Sequence, residues 1–525
     1  MVKTLLSMPY EILGIICSIL EDEYKPGLLK FSQTNRVCYQ AANKLRFKKI
    51  YIRPAHSKRL AAEVERWTDI LSRTNSWPYV KQLELDEPCV GLYTDPEGLT
   101  SLLNFVPKLF LLEDLIYACK DPFPPALLQV LHECLPRCRL HLMSFDLESS
   151  PDSPTTSVIN SANVTPDTSA PATPTTPTAP AAAAGANANN GTGGAGSGAD
   201  PATAIIDEDK LALASSPSLH TIVVQSAMLR PLTVNEDIAL HMAAGLAPNL
   251  KRVNILTWYY DRAPKRLSHV SEDSNNQDAL ACVFKDRDQG SLEGLSLPPV
   301  GLDQFIEWEE KLRTLRLWSA TTEMLERASQ CNFSSLKTFG VSFDSKGESF
   351  NEIGRKLIKS LPALENLYLG YYSEAILGTA LKYHGHSLQK LYIQGAVSPE
   401  DVREIGLHDT QLHDLTILFQ CSGSDTCEEF CDAIGTIQHL RTLSITADVY
   451  RGTGTPDEKW ARDLFTTITR YNRTLQKAQI RPFANNIRYD CFRFNGMNKA
   501  EEDRIVVHKA DVWRSSDRYF KTMFY

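Results

Sequence analysis

Leu312-Arg313-Thr314-Leu315-Arg316-Leu317 is the stretch on which the reading of this chain turns. Apolar residues stand at its first, fourth and sixth positions, and the last two alternate as they do on a strand with one buried face. The same spacing returns at Leu336, Phe339, Val341; Leu364, Leu367, Leu369; Leu388, Leu391, Ile393; Leu412, Leu415, Ile417; and Leu440, Leu443, Ile445. Upstream it occurs at Val80, Leu83, Leu85; Leu219, Ile222, Val224; Leu250, Val253, Ile255; and Leu292, Leu295, Leu297. Between these strands lie helical patterns such as Ile353, Leu357 and Leu361, stopped by Pro362. A strand and a helix of this size cannot bury their own apolar faces, so each unit has to stack on its neighbours.

From Leu315 onward the interval settles at about 24 to 28 residues, the period of leucine-rich repeats. The expected fold is therefore α/β: an irregular leucine-rich-repeat solenoid over residues 51–148 and 205–480. Loops or insertions explain the uneven spacing before Leu295. Residues 149–204 are almost entirely Pro, Thr, Ala, Ser, Asn and Gly, a composition that cannot offset its own ordering entropy and predicts a disordered insertion. Gly191, Gly193, Gly194 and Gly196 within it imitate a phosphate loop, but neither a strand nor a helix flanks them. Ser153-Pro154 and Thr173-Pro174 are potential phosphate acceptors there. Residues 481–525 lose the motif and end in Trp513, Tyr519, Phe520, Phe524 and Tyr525, as a terminal cap or a docking tail would.

With 525 residues, of which 43% are hydrophobic and 22% charged, the chain has ample apolar surface for this core. A net charge of -8 argues against nucleic acid as a partner, because phosphate backbones reward clustered Lys and Arg. The opening MVKTLLSMPYEILGIICSIL is broken by Pro9 and Glu11 and predicts a helix rather than a signal peptide. No segment approaches the ~20 apolar residues of a membrane-spanning helix, so an intracellular protein with no membrane partner is expected. The 12 cysteines are then reduced thiols, and the sequons at Asn163, Asn332 and Asn472 carry no sugar.

Residues 5–50 hold a three-helix pattern. Pro9 initiates a first helix on which Ile12, Leu13, Ile16 and Leu20 form an apolar stripe, and a turn at Pro26 and Gly27 ends it. Leu28, Leu29 and Phe31 supply a second helix. Val37, Ala41 and Leu45 mark a third, capped by Thr34 or Asn35.

In order and spacing, Met8-Pro9-Tyr10-Glu11-Ile12-Leu13, Ile16, Leu20, Leu28-Leu29, Phe31-Ser32 and Arg36 resemble an F-box over some forty residues, with Met8 and Cys38 in place of the usual Leu and Trp. Trp77-Pro78-Tyr79-Val80-Lys81-Gln82-Leu83-Glu84-Leu85 is similar to the first strand after the F-box in many fungal members. The resemblance implies the substrate-recognition subunit of a Skp-cullin-F-box ubiquitin ligase. Pro9, Ile12, Leu13, Ile16, Leu20, Leu28, Leu29 and Phe31 would meet a Skp-type adaptor, and through it a cullin-RING ligase. The repeats would hold a protein substrate. The alternative is a leucine-rich-repeat scaffold with no ligase role.

Neither reading needs a cofactor or a catalytic site. The 12 His are scattered, and no nucleophile elbow, H-E-x-x-H or Walker loop occurs. His384 and His386 fit a turn before the Leu388 strand, and Cys421, Cys427 and Cys431 lack the paired spacing of a zinc site. Trp258, Tyr259, Tyr260, Trp318, Tyr371 and Tyr372 follow predicted strands, where aromatics either dominate a binding surface or close the core.

Overall fold

The computed structural model describes residues 8–23, 25–53, 60–86, 96–119, 122–145, 208–227, 239, 242–258, 292–297, 309–343, 348–370, 372–408, 411–421, 424–449, 456–482, 487–494 and 504–511. The low-complexity segment, the terminal aromatics, Tyr259, Tyr260 and Tyr371 lie outside them.

Three helices open the chain: α1 (Tyr10–Glu23), α2 (Lys25–Ser32) and α3 (Arg36–Arg46). Asn35 caps α3, its side chain accepting from the backbone N–H groups of Val37 and Cys38 at 2.8 and 2.9 Å. Pro26 and Gly27 form no turn between helices but stand in the first turn of α2. The first N–H groups of a helix have no partner to lose, so proline is tolerated there.

A mixed α/β body follows. Its strands are β1 (Lys49–Ile52), β2 (Gln82–Asp86), β3 (Asp114–Ala118), β4 (Arg139–Phe145), β5 (Leu219–Ala227), β6 (Arg252–Trp258), β7 (Gly294–Leu297), β8 (Thr314–Ala320), β9 (Thr338–Phe343), β10 (Asn366–Gly370), β11 (Lys390–Ala396), β12 (Asp414–Cys421), β13 (Thr442–Val449), β14 (Lys477–Pro482), β15 (Ile487–Phe494) and β16 (Arg504–Asp511). Between them run α4 (Leu60–Thr74), α5 (Pro96–Phe105), α6 (Pro125–Cys134), α7 (Glu208–Ala214), α8 (Thr322–Ala328), α9 (Glu348–Ser360), α10 (Glu374–His384), α11 (Pro399–His408), α12 (Ser424–Gly435) and α13 (Glu458–Tyr471).

The 16 strands form one open sheet in chain order. Pairing is parallel from β1 to β14 and antiparallel for β15 and β16. The segment expected to supply the first strand after the helices instead makes a 3-10 turn at Trp77–Tyr79 and then the second strand, because β1 precedes it.

The repeated apolar positions meet in register. Leu315, Phe339, Leu367, Leu391, Leu415 and Leu443 are successive partners, as are Leu317, Val341, Leu369 and Ile393. All are buried and join one continuous hydrophobic cluster running from Phe47 to Val507. Helix residues such as Leu71, Leu357, Leu377 and Phe465 complete this cluster on one side of the sheet. A second periodic device ties unit to unit at the strand entry. The Lys337 carbonyl accepts from Glu365 and Asn366, that of Glu365 from Gln389 and Lys390, and that of Gln389 from His413 and Asp414, at 2.7–3.1 Å. Backbone groups in each irregular corner are thereby paired to the next unit rather than left open.

At the far end, Tyr489 and Cys491 of β15 and Val507 of β16 extend the core, and α13 packs on both strands. Arg462 of α13 donates to the Ile505 carbonyl at 2.7 Å.

Candidate binding surfaces

The helical module has a core of its own: Leu13, Cys17, Leu28, Ala41 and Ala42 are buried together, with Ile16, Leu20, Phe31 and Leu45 packed against them. Ala41 and Ala42 carry so little bulk that α1 and α3 approach closely there. Burial, and then the neighbouring Cys38, push the Cys17 thiol up to about 11, which leaves it protonated and inert.

The expected stripe of Ile12, Leu13, Ile16 and Leu20 is therefore divided between two faces. Leu13 and Leu28 are interior residues that no partner reaches, and Ile16, Leu20 and Phe31 are half-buried. Ile12 looks outward at 42% exposure, joined by Ile15 at 55% and Ile19 at 49%, a 3-4 spacing that places all three along one line of α1. Leu29 and Val37 are also exposed, as is Pro9. Ile15 and Ile19 escaped the sequence reading, which took Val37 only as a mark of the third helix. In a helix apolar on nearly every side, periodicity alone does not say which side meets solvent.

The other surface is the sheet face opposite the helices, built by the strand residues that alternate with the leucines. On β3 to β5 it carries a polar chain. His141, 4% exposed, places Nε2 3.0 Å from Asp114 Oδ1 and Nδ1 3.0 Å from Thr221 Oγ1, while Arg139 donates to Asp114 at 2.8 Å. Burial opposes the Asp114 charge, but hydrogen bonds from His141 and Arg139 outweigh it and hold the carboxyl below its ordinary range. The His220 ring lies tilted 5.3 Å from the His141 ring, and burial, then His141 and the neighbouring arginines, drive its pKa down to about 4. The order Asp114, His141, Thr221 imitates a nucleophilic triad. Thr221 is 3% exposed, however, and the chain satisfies polar groups within the sheet.

The chain matches no family model and no curated protein.

Farther along the same face, the Arg316 guanidinium lies 4.4 Å from the centre of the Tyr368 ring, which stands 5.7 Å from the Tyr392 ring. Gly340 makes this possible. A Cβ there would come 2.9 Å from Arg316 Cγ and 3.4 Å from Tyr368 Cβ, so a side chain on β9 would push the arginine off the tyrosine. Among the aromatics anticipated as binding residues, Trp258 ends β6 and Trp318 is half-buried on β8. Tyr372 lies away from both, in a cleft of about 410 Å³ with Glu374, Ser398, Glu400, Asp401 and Glu404. Its hydroxyl donates to Asp401 Oδ2 at 3.2 Å, and burial followed by that carboxylate pushes its pKa upward. The side chain therefore anchors the start of α11. His384 is no turn residue but the end of α10, buried, with Nε2 2.9 Å from the Ile358 carbonyl. Cys421 ends β12, while Cys427 and Cys431 lie on α12.

Proposed function

We propose that the chain is the noncatalytic substrate receptor of a Skp-cullin-F-box type ubiquitin ligase, its strand-helix units being an irregular leucine-rich-repeat solenoid. The observation that carries this reading is the line of half-exposed isoleucines on a module with a separate core. A forty-residue helical unit is at the edge of independent stability, and Ile12, Ile15 and Ile19 are apolar area left over after the module has packed. Covering the exposed halves of three such side chains contributes on the order of 2–4 kcal/mol before association entropy is subtracted. An adaptor docked there leaves the sheet face free for a second protein.

The repeat reading is supported by strands in chain order, leucines in register and a carbonyl ladder with the period of the units. The test is affinity capture of a purified Skp-type adaptor by the full chain. Retention of the adaptor supports the receptor reading. No retention at micromolar concentrations leaves a repeat scaffold whose first helices only close its end.

A further inference from the structure

The turns that lead into β2, β3 and β4 stack on one another beside the helical module. The Lys81 carbonyl accepts from Glu113 and Asp114, and that of Glu113 from Arg139, at 2.8–3.0 Å. Just after α3, the Lys48 carbonyl joins the series by accepting from Lys81 and Gln82 at 2.9 Å, and α3 packs against the Trp77–Tyr79 turn. Backbone pairing thus sets residues 77–81, 109–113 and 135–138 side by side, about 4.8 Å from turn to turn.

The middle turn has an apolar tip. Leu109 and Leu112 anchor it in the core, which leaves Phe110 and Leu111 outside at 59% and 41% exposure. Among the described residues beyond the helical module, this is the one place where two large exposed apolar side chains are neighbours in the chain. Trp77 and Tyr79 of the adjoining turn are half-buried, and the Lys108 ammonium stands 6.0 Å from the centre of the Trp77 ring. Isolated apolar side chains are ordinary on a surface, but a Phe-Leu tip flanked by a Trp and a Tyr has the composition of a binding centre.

The rim of this patch is basic. Segments 47–49, 75–81, 106–113 and 135–138 lie wholly within the described residues and hold Lys48, Lys49, Lys81, Lys108 and Arg137 against a single acid, Glu113. Lys81 holds that carboxylate at 2.8 Å. Lys48, Lys49, Lys108 and Arg137 are exposed and form no ion pair among the described residues. The stretches outside the description, 54–59, 87–95, 120–121 and 146–207, join the opposite ends of these strands.

We propose that this strand-entry patch, centred on Trp77, Phe110 and Leu111 and rimmed by Lys48, Lys108 and Arg137, docks an acidic segment of a partner protein that carries apolar side chains of its own. The apolar side chains cover the Phe110-Leu111 tip, and carboxylates meet the rim cations, which set orientation and speed of encounter. An extended anionic bilayer also faces the rest of a chain of net charge -8, whereas a short segment meets the patch alone. The inference goes beyond the receptor reading and does not depend on it, since the isoleucine line of α1 takes no part.

The test uses the full chain and three fluorescent peptides of equal length: one of Glu with Leu and Phe, one with every Glu replaced by Lys, and one with every Leu and Phe replaced by Ser. Anisotropy titrations should show the first binding at least about 10-fold more tightly than either other, and weakening as salt rises. Phe110→Asp and Lys108→Glu, both at exposed positions, should each weaken it at least about 10-fold, while Leu407→Asp, 83% exposed on α11, leaves it unchanged. Equal binding of the three peptides, or wild-type affinity in a folded Phe110→Asp chain, overturns the proposal. Capture by phosphatidylserine vesicles that Phe110→Asp abolishes, with no peptide bound, also overturns it by making the patch a membrane contact.

Discussion

Asn472 stands where α13 turns into the approach to β14, and it is buried at 3% exposure. Its amide donates to the Ile434 carbonyl at 2.9 Å and the Ile437 carbonyl at 2.8 Å, while Oδ1 accepts from the N–H groups of Thr474 and Leu475 at 3.1 Å each. One side chain thus satisfies two carbonyls of the preceding unit and two amides of its own. Asn472→Ala leaves the Thr474 and Leu475 N–H groups without a partner at about 1–3 kcal/mol each and removes one of two donors from the Ile434 and Ile437 carbonyls, which keep the N–H groups of Ile437 and Leu440, for a net loss of about 3–5 kcal/mol. Because the units contact mainly their neighbours, the loss should be local. Native-state hydrogen exchange is the assay: amides of β14 should exchange ~10²- to ~10³-fold faster at about 1.4 kcal/mol per decade, with those of β10 unchanged. Asn472→Asp should do no better, since it sets a carboxylate against two carbonyls. An effect below ~1 kcal/mol, or an equal acceleration at β10, would refute the reasoning. The same burial removes this amide from a glycosylating enzyme's reach, whatever its Asn-Arg-Thr context suggests.

Three other outcomes are expected. Leu13→Ala, at a fully buried site, should destabilise the helical module by about 2–5 kcal/mol in denaturant titrations followed by circular dichroism, whereas Ile15→Asp should stay within about 0.5 kcal/mol. His220 is held neutral in the folded state with a pKa of about 4, below its ordinary 6.5, so folding stability should be full above pH 6.5 and fall as pH drops toward 4. The facing groups are His141, Arg139, Arg252 and Asp114, and His220→Asn should flatten the dependence of melting temperature on pH across that interval. Gly340→Val should cost about 1–3 kcal/mol by driving a side chain into Arg316, and a melting temperature equal to wild type would contradict that packing.

Much of the sheet was legible because Leu, Ile, Val or Phe fills the same three places in most units. Where another residue takes one of those places, the motif disappears from view. In β3 the third place belongs to Tyr117, whose ring is buried and whose hydroxyl donates to the Pro122 carbonyl at 3.0 Å. Before β4 the first place belongs to Cys138, buried at 2%. The strands β15 and β16 carry no such spacing at all, since an antiparallel pair at the end of a sheet needs only alternation, as in Tyr489 and Cys491. The helices of the module were legible from their caps and spacing, but not the outward face of α1, which depends on where Ala41 and Ala42 let α3 sit. The sheet-face groups were hidden for a different reason. Asp114, His141 and Thr221 are 27 and 80 residues apart in the chain, and Arg316 reaches Tyr368 across a strand whose contribution is a missing side chain. Only the register of the strands brings them together.

Calorimetric titration of a Skp-type adaptor into the full chain measures the central claim most directly, with Ile12→Asp, Ile15→Asp, Ile19→Asp combined in one variant and Leu407→Asp, at 83% exposure on α11, as the control. Wild type and control should bind alike, and the triple variant, still helical, should bind at least ~10²-fold more weakly, because each Asp removes apolar contact and brings an unpaired carboxylate to the interface. Equal affinity for all three chains would contradict the assignment of the isoleucine line as the docking surface, and no binding by the wild type would contradict the receptor reading itself.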